Sequence, residues 1–162
     1  MGKDNSTKLI RSGLKRTEFM ETSEPLFLTS GFVYNSAEEA EDAFKEKKKR
    51  FMYSRFGNPT VQMLQDKLAD IEGAEVCWCT STGMAAVFTI FMSYLKKGDR
   101  VVAGRALFGS CHHIITKILP RFGIEVELVD GKDLNAWEKA LKKRTSLIFF
   151  ETPSNPCLEI ID

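Results

Sequence analysis

An α/β fold, a mostly parallel sheet with flanking helices, is predicted for this 162-residue chain. Three observations predict it. Short apolar runs alternate with helix-period segments from residue 59 onward. Proline and glycine stand where those helices start and stop. The spacing of strand, helix and strand leaves room for crossovers, which are right-handed between parallel strands.

Residues 1 to about 31 carry scattered apolar side chains without a sustained period, and read as an extended arm. Residues 36–50 read as a helix, which Ser36 caps and Glu39 completes as a capping box. The acidic stretch Glu38 to Asp42 and the basic run Lys47-Lys48-Lys49-Arg50 then form its solvated face rather than a nucleic-acid patch. Residues 59–72 form a helix opened by Pro59, with Val61, Leu64, Leu68 and Ile71 on one face and Gly73 after its end. Residues 75–79 read as a short buried strand. The apolar segment 83–95 reads as a helix buried on all sides, too short for a bilayer span of about 20 residues. Strands follow at 100–103, 124–129 and 146–150, alternating with helices at 110–122 and 134–143. The pattern changes near residue 50, giving an N-terminal arm and helix (1–50) and a sheet-bearing domain (51–162).

The chain is 43% hydrophobic and 28% charged, enough to bury a core, and its net charge is +1. That balance gives no reason to expect nucleic acid or a membrane as partner. No secretion signal is visible, so a cytoplasmic location is expected. Cys77, Cys79, Cys111 and Cys157 are read as free, buried thiols. With His112 and His113 they make a superficial zinc inventory. Cys77-Trp78-Cys79 is C-x-C amid apolar neighbours, however, and no metal is expected.

Ligands of parallel sheets sit beyond the carboxyl ends of the strands. The loops there are 80–83, 104–110 and 151–156, and they hold the unusual chemistry. Thr82-Gly83-Met84 puts a glycine at a helix start, where free N–H groups and the positive dipole end suit a phosphate. Tyr53 and Arg55 form a second phosphate candidate, because a guanidinium donates two parallel bonds to phosphate oxygens. Neither G-x-G-x-x-G nor G-x-x-x-x-G-K-[ST] occurs, which removes the main support for a dinucleotide or P-loop nucleotide. A G-x-S-x-G elbow is also missing and the two histidines are adjacent, which argues against a Ser-His-Asp hydrolase.

Four ordered blocks across residues 53–156 carry a resemblance: Y-S-R-F-G-N-P-T, S-T-G-M-A-A, G-D-R-V-V-A-G-R-A-L-F-G-S and F-F-E-T-P-S-N-P. Together they resemble the transsulfuration (Cys/Met metabolism) family of enzymes that use pyridoxal 5'-phosphate (PLP). The resemblance implies part of the major domain of the aspartate aminotransferase-like, type I fold. It implies that Tyr53 and Arg55 reach into a neighbouring subunit's site to hold the PLP phosphate. Gly83 and Met84 are implied as backbone donors to that phosphate, and Thr82 keeps a hydroxyl where relatives commonly have serine. Phe108 takes the place of a tyrosine stacked on the cofactor ring, keeping the aromatic face and losing the hydroxyl. Asn155 is implied to meet the cofactor's phenolic oxygen, and Glu151 to be a neighbouring active-site carboxylate or a structural one.

PLP chemistry needs a lysine Schiff base and an acidic partner for the ring nitrogen. By the resemblance both lie beyond Asn155, so no lysine of this chain is assigned that role. The chain alone is expected to be inactive. The implied parent reaction replaces the γ-acyloxy group of an O-succinyl- or O-acetylhomoserine with sulfur, as a sulfhydrylase or γ-synthase does. A γ-lyase relative and a non-catalytic split subunit are the alternatives. Implied partners are copies of the same chain (a dimer or tetramer) or a complementary C-terminal fragment, with a homoserine ester and a sulfur donor as small molecules. A shortened gene product, a split subunit and a piece of a longer protein remain open as origins. A severed sheet predicts an unpaired edge, with poor solubility or tight association.

Overall fold

The computed structural model describes residues 5–162. Two compact units divide between Cys79 and Thr80. In the first, α1 (Asn5–Arg11) lies within the segment expected to be an irregular arm. Seven residues without an apolar period do not make a stable helix alone. Docking on α3 (Pro59–Glu72) holds it instead. Lys8 Nζ donates to Asp70 O at 3.0 Å, Lys15 pairs with Asp66 at 2.9 Å, and the Ser12 hydroxyl bonds the Asp70 carboxylate. Gly13 makes the approach possible: its φ is +72°, and a Cβ there would lie 2.3 Å from Met63 O.

The helix expected over 36–50 is shorter, α2 (Ala37–Phe44). Ser36 does cap it, accepting from Glu39 N at 3.1 Å. The chain then turns out through Glu46, a non-glycine residue at φ +57°. The basic run is therefore not a helix face. It folds back, so that Lys47 pairs with Asp42, Lys48 and Arg50 with Glu39, and Arg50 lies 4.5 Å over the Tyr34 ring. The Glu39 carboxylate also accepts from Asn35 N at 2.8 Å. That N–H, then Lys48, bring its pKa down from 4.5 to about 2. A lowered carboxyl contributes stability above its unfolded pKa and loses it as pH falls. The Glu39 ties are expected to persist at about pH 5 and to release between about 4.5 and 2. A carboxyl-carbon NMR titration checks this, and a Glu39 midpoint near its ordinary value contradicts it.

Helix α3 has the expected bounds. Asn58 caps it through a 2.9 Å bond from Thr60 N, Pro59 opens it, and Gly73 closes it at φ +65°. Residues 75–79 carry no regular secondary structure and do not form the expected buried strand, and Val76 and Trp78 are exposed. An extended segment becomes a strand only when a neighbour supplies ladder bonds, and no described residue does so here.

The second unit begins with α4 (Gly83–Tyr94), followed by β1 (Arg100–Gly104), α5 (Gly109–His113), β2 (Glu125–Val129), α6 (Leu134–Leu141) and β3 (Leu147–Phe149). The sheet is parallel in the order β2-β1-β3, with Val102 opposite both Glu127 and Ile148. Central β1 is buried throughout. Its alternation sorts the core into two faces. Val101 and Ala103 join Phe91, Leu95, Ile115 and Leu119, whereas Val102 joins Val129, Trp137 and Ala140. Helix α5 runs on through a π turn (Ile114–Ile118) and a 3-10 turn (Leu119–Phe122) to Gly123, so residues 110–122 are helical as expected but not uniformly wound. Helix α4 differs from its expectation: Phe91 alone among its residues is buried, and Ile90 and Tyr94 are exposed. The core of this unit covers one side of it.

Candidate functional site

Tyr53 and Arg55 lie in the first unit, on a turn closed by bonds from Phe56 N and Gly57 N to Tyr53 O at 2.9 and 3.1 Å. Both are exposed, and the Arg55 guanidinium lies 4.9 Å from the Tyr53 ring and 5.2 Å from the Phe56 ring. Stacking leaves the edge of the guanidinium free to donate. The turn is anchored from both sides. Tyr53 bridges Gly31, and Ser54 N donates to Ser30 O at 2.8 Å. Asn58 Nδ2 donates to Phe27 O and to Ser54 Oγ, each at 2.9 Å. The Thr60 hydroxyl donates to Pro25 O and accepts from Phe27 N. Sequence reasoning missed this clamp. Its only local trace is the cap residue Asn58 ahead of Pro59 and Thr60.

In the second unit, the Thr82 hydroxyl accepts from Ala85 N at 3.0 Å and caps α4. The amides of Gly83 and Met84 belong to the first turn, which has no intrahelical acceptors. Gly83 does not have a positive φ, and a Cβ built on it meets nothing within 4 Å. Neither backbone conformation nor packing within the chain requires glycine there. Open space above two free amides suits an anion that approaches the backbone closely.

Phe108, Glu151 and Asn155 come together at the carboxyl ends of β1 and β3. Phe108 N donates to both Glu151 carboxylate oxygens, at 3.0 and 2.9 Å, and Asn155 N donates to one of them at 3.3 Å. The Phe108 ring is half-exposed. Cys111 is buried beside the cluster. Burial first, then hydrogen bonding to Glu151 and its charge, push that thiol up, so it stays protonated and unreactive. Among the described residues no hydrogen bond joins the Thr82–Met84 turn to this cluster. All four cysteines are free, although only Cys111 is buried, and no group of metal-ligating side chains is present among the described residues.

A family model described as Cys/Met metabolism PLP-dependent enzyme matches residues 6–162. The chain belongs to this family. The chain is 48% identical over 161 residues to an O-succinylhomoserine sulfhydrylase of Mycobacterium tuberculosis (strain ATCC 25618 / H37Rv), covering 99% of this chain and 40% of that protein. It is 40% identical over 156 residues to an O-succinylhomoserine sulfhydrylase of Pseudomonas aeruginosa, covering 96% and 39%. An L-methionine gamma-lyase of Fusobacterium nucleatum subsp. polymorphum is 36% identical over 156 residues, covering 96% and 40%. Among solved structures, a putative O-acetylhomoserine (thiol)-lyase of Campylobacter jejuni that holds a pyridoxyl-lysine phosphate superposes with TM-score 0.89 at 28% identity, covering 99% of this chain and 40% of that one. A cystathionine gamma synthase of Xanthomonas oryzae superposes with TM-score 0.89 at 27% identity, covering 100% and 40%.

The family and its type I fold are thus as the sequence implies. The chain spans about 40% of the length of the curated relatives it matches. PLP is the family's cofactor, and this chain's residues fit part of it. In the second unit, a half-exposed aromatic face at Phe108 and two first-turn amides at Gly83 and Met84 suit the ring and the phosphate of such a group. In the first unit, the exposed Arg55 guanidinium suits a phosphate. No described helix is long and apolar enough to cross a membrane.

Proposed function

We propose that this chain supplies the phosphate- and ring-holding part of a PLP-dependent enzyme that exchanges the γ-acyloxy group of an activated homoserine for sulfur. O-Succinylhomoserine is the favoured ester, because two of the relatives named above are O-succinylhomoserine sulfhydrylases. The observation that carries the reading is the open space over Gly83 at a helix start whose Thr82 cap leaves two amides unused.

The Gly83 and Met84 amides bind the phosphate, and the Thr82 hydroxyl fixes the turn that presents them. Arg55 and Tyr53 donate to the same phosphate from a neighbouring copy of the chain, so a dimer is the smallest working assembly. Phe108 stacks on the ring and Asn155 donates to its phenolic oxygen. When bound, the cofactor supplies the electron sink for carbanions at the α and β carbons of the amino acid. Phe108 has no hydroxyl, so no proton moves through that position. The portion of the relatives that this chain does not span supplies the lysine and the acid for the ring nitrogen, and the assembly works in the cytoplasm. The exposure of Tyr53 and Arg55 also favours a second reading, a non-catalytic subunit that lends them to a partner's site.

The test is complementation. The chain is co-expressed with the matching downstream portion of a relative and assayed with O-succinylhomoserine, sulfide and PLP. Activity is expected in the pair and in neither piece alone. Arg55→Ala is expected to weaken PLP binding by the pair about tenfold or more, the worth of a charge-assisted contact. A purified complex without PLP binding overturns the proposal. Binding without turnover favours the lending role.

A further inference from the structure

Glu151 does work that neither a substrate contact nor a proton transfer accounts for. Its two carboxylate oxygens lie 2.9 and 3.0 Å from one donor, the backbone N–H of Phe108, and one of them accepts from Asn155 N at 3.3 Å. Phe108 follows β1 and Asn155 follows β3, so Glu151 accepts from Phe108, 43 positions away, and from Asn155 on its own loop. Both loops also have internal ties. Arg105 N donates to Val129 O at 2.8 Å. Ser154 is buried, with bonds from Ser154 N to Glu159 O and from Glu159 N to Ser154 Oγ at 3.0 and 3.1 Å. Each loop is therefore fixed to its own surroundings, and Glu151 ties one to the other. A carboxylate suits this place because it is acceptor-only, and bonds to it from N–H groups are stronger than neutral ones.

We propose that Glu151 is a positioning residue: its carboxylate holds the backbones of Phe108 and Asn155 as one unit, setting the ring-stacking face against the amide that meets the phenolic oxygen. The role rests on the cofactor reading above, since only a planar ligand between these two side chains makes their separation matter. Glu151 touches the backbone N–H groups of Phe108 and Asn155 and the Cys111 thiol, and no ligand atom. Its effect therefore shows in the order of the two loops before it shows in chemistry.

The experiment uses the full chain, 15N-labelled, as wild type, Glu151→Ala and Glu151→Gln. Amide hydrogen exchange is read at Phe108 and Asn155, with Val101, Val102 and Ala103 as references inside the sheet. In Glu151→Ala both loop amides are expected to exchange about tenfold faster or more, with the references unchanged, as loss of a bond to a charged group predicts. Glu151→Gln keeps one acceptor oxygen and is expected to fall between. Equal rates at Phe108 in all three proteins overturn the clamp. So does acceleration that reaches the references equally, which marks general loss of stability. Should Glu151→Ala fail to fold, a Glu151→Gln rate at Phe108 equal to wild type overturns it. A second readout adds pyridoxamine phosphate, which stacks without needing a Schiff base, and follows the Phe108 ring protons. Upfield shifts in wild type that need about tenfold more ligand in Glu151→Ala support the role. No ring shift in wild type overturns the cofactor reading, while exchange alone still decides the clamp.

Discussion

Phe91→Ala is expected to destabilise the second unit by about 3–5 kcal/mol, the cost of truncating a large aromatic in a closed core. Phe91 is fully buried, and its ring centroid lies 5.1 Å from that of Phe149 on β3. It is the one fully buried side chain of α4, with Met84, Val87, Phe88 and Met92 packed around it only in part. Domains are stable by about 5–15 kcal/mol, so the variant is left near its threshold. Urea unfolding followed by near-ultraviolet and amide signals checks this, with a lower midpoint and an unchanged slope expected. A loss under about 1 kcal/mol shows that α4 is not seated on the sheet through Phe91. The same substitution carries a functional consequence. The Thr82–Met84 turn begins the helix that Phe91 anchors, so the phosphate-facing amides lose their support along with it.

Arg100→Ala is expected to cost about 2–4 kcal/mol, between the loss of charged hydrogen bonds and that of a buried ion pair. The Arg100 side chain is only 5% exposed. Its guanidinium donates to Ala140 O at 3.1 Å and to Thr145 Oγ1 at 2.7 Å, and pairs with Glu127. Its Nε lies 3.4 Å from a Glu125 oxygen, within ion-pair range but without hydrogen-bond geometry. One side chain thus ties β1 to β2 and to the end of α6. Glu125 and Glu127 remain exposed enough to rehydrate, which keeps the cost below that of stranding a buried charge. Arg100→Met retains the apolar stem and is expected to recover part of the loss. Equal stability of wild type and Arg100→Ala contradicts the tie.

Where a local signal sets a boundary, the sequence reads well. Helix α3 runs between its cap Asn58 and its αL glycine Gly73 because each residue acts on its own backbone. The strands of the second unit and its parallel order follow from alternating segments in the same way. Features that depend on a distant partner are illegible. Helix α1 exists by docking on α3. Residues 75–79 have strand-like composition and, among the described residues, no neighbour to pair with. Helix α4 is apolar on every side but covered on one. Helix α2 stops at Phe44 because the residues after it turn back onto Glu39, Asp42 and Tyr34. The site divides along the same line. The loops beyond β1 and β3 are found from topology, and Phe108, Glu151 and Asn155 are named from residue type. The sharing of one carboxylate by two backbones needs the β1–β3 pairing, which no local motif encodes.

The amide of Asn58 has a double duty. Its oxygen starts α3 by accepting from Thr60, while its nitrogen reaches back to Phe27 and Ser54. Fraying of the first helical turn therefore loosens the preceding chain as well. Tyr53 and Arg55 flank Ser54, one of the two attachment points, so both sit next to this joint.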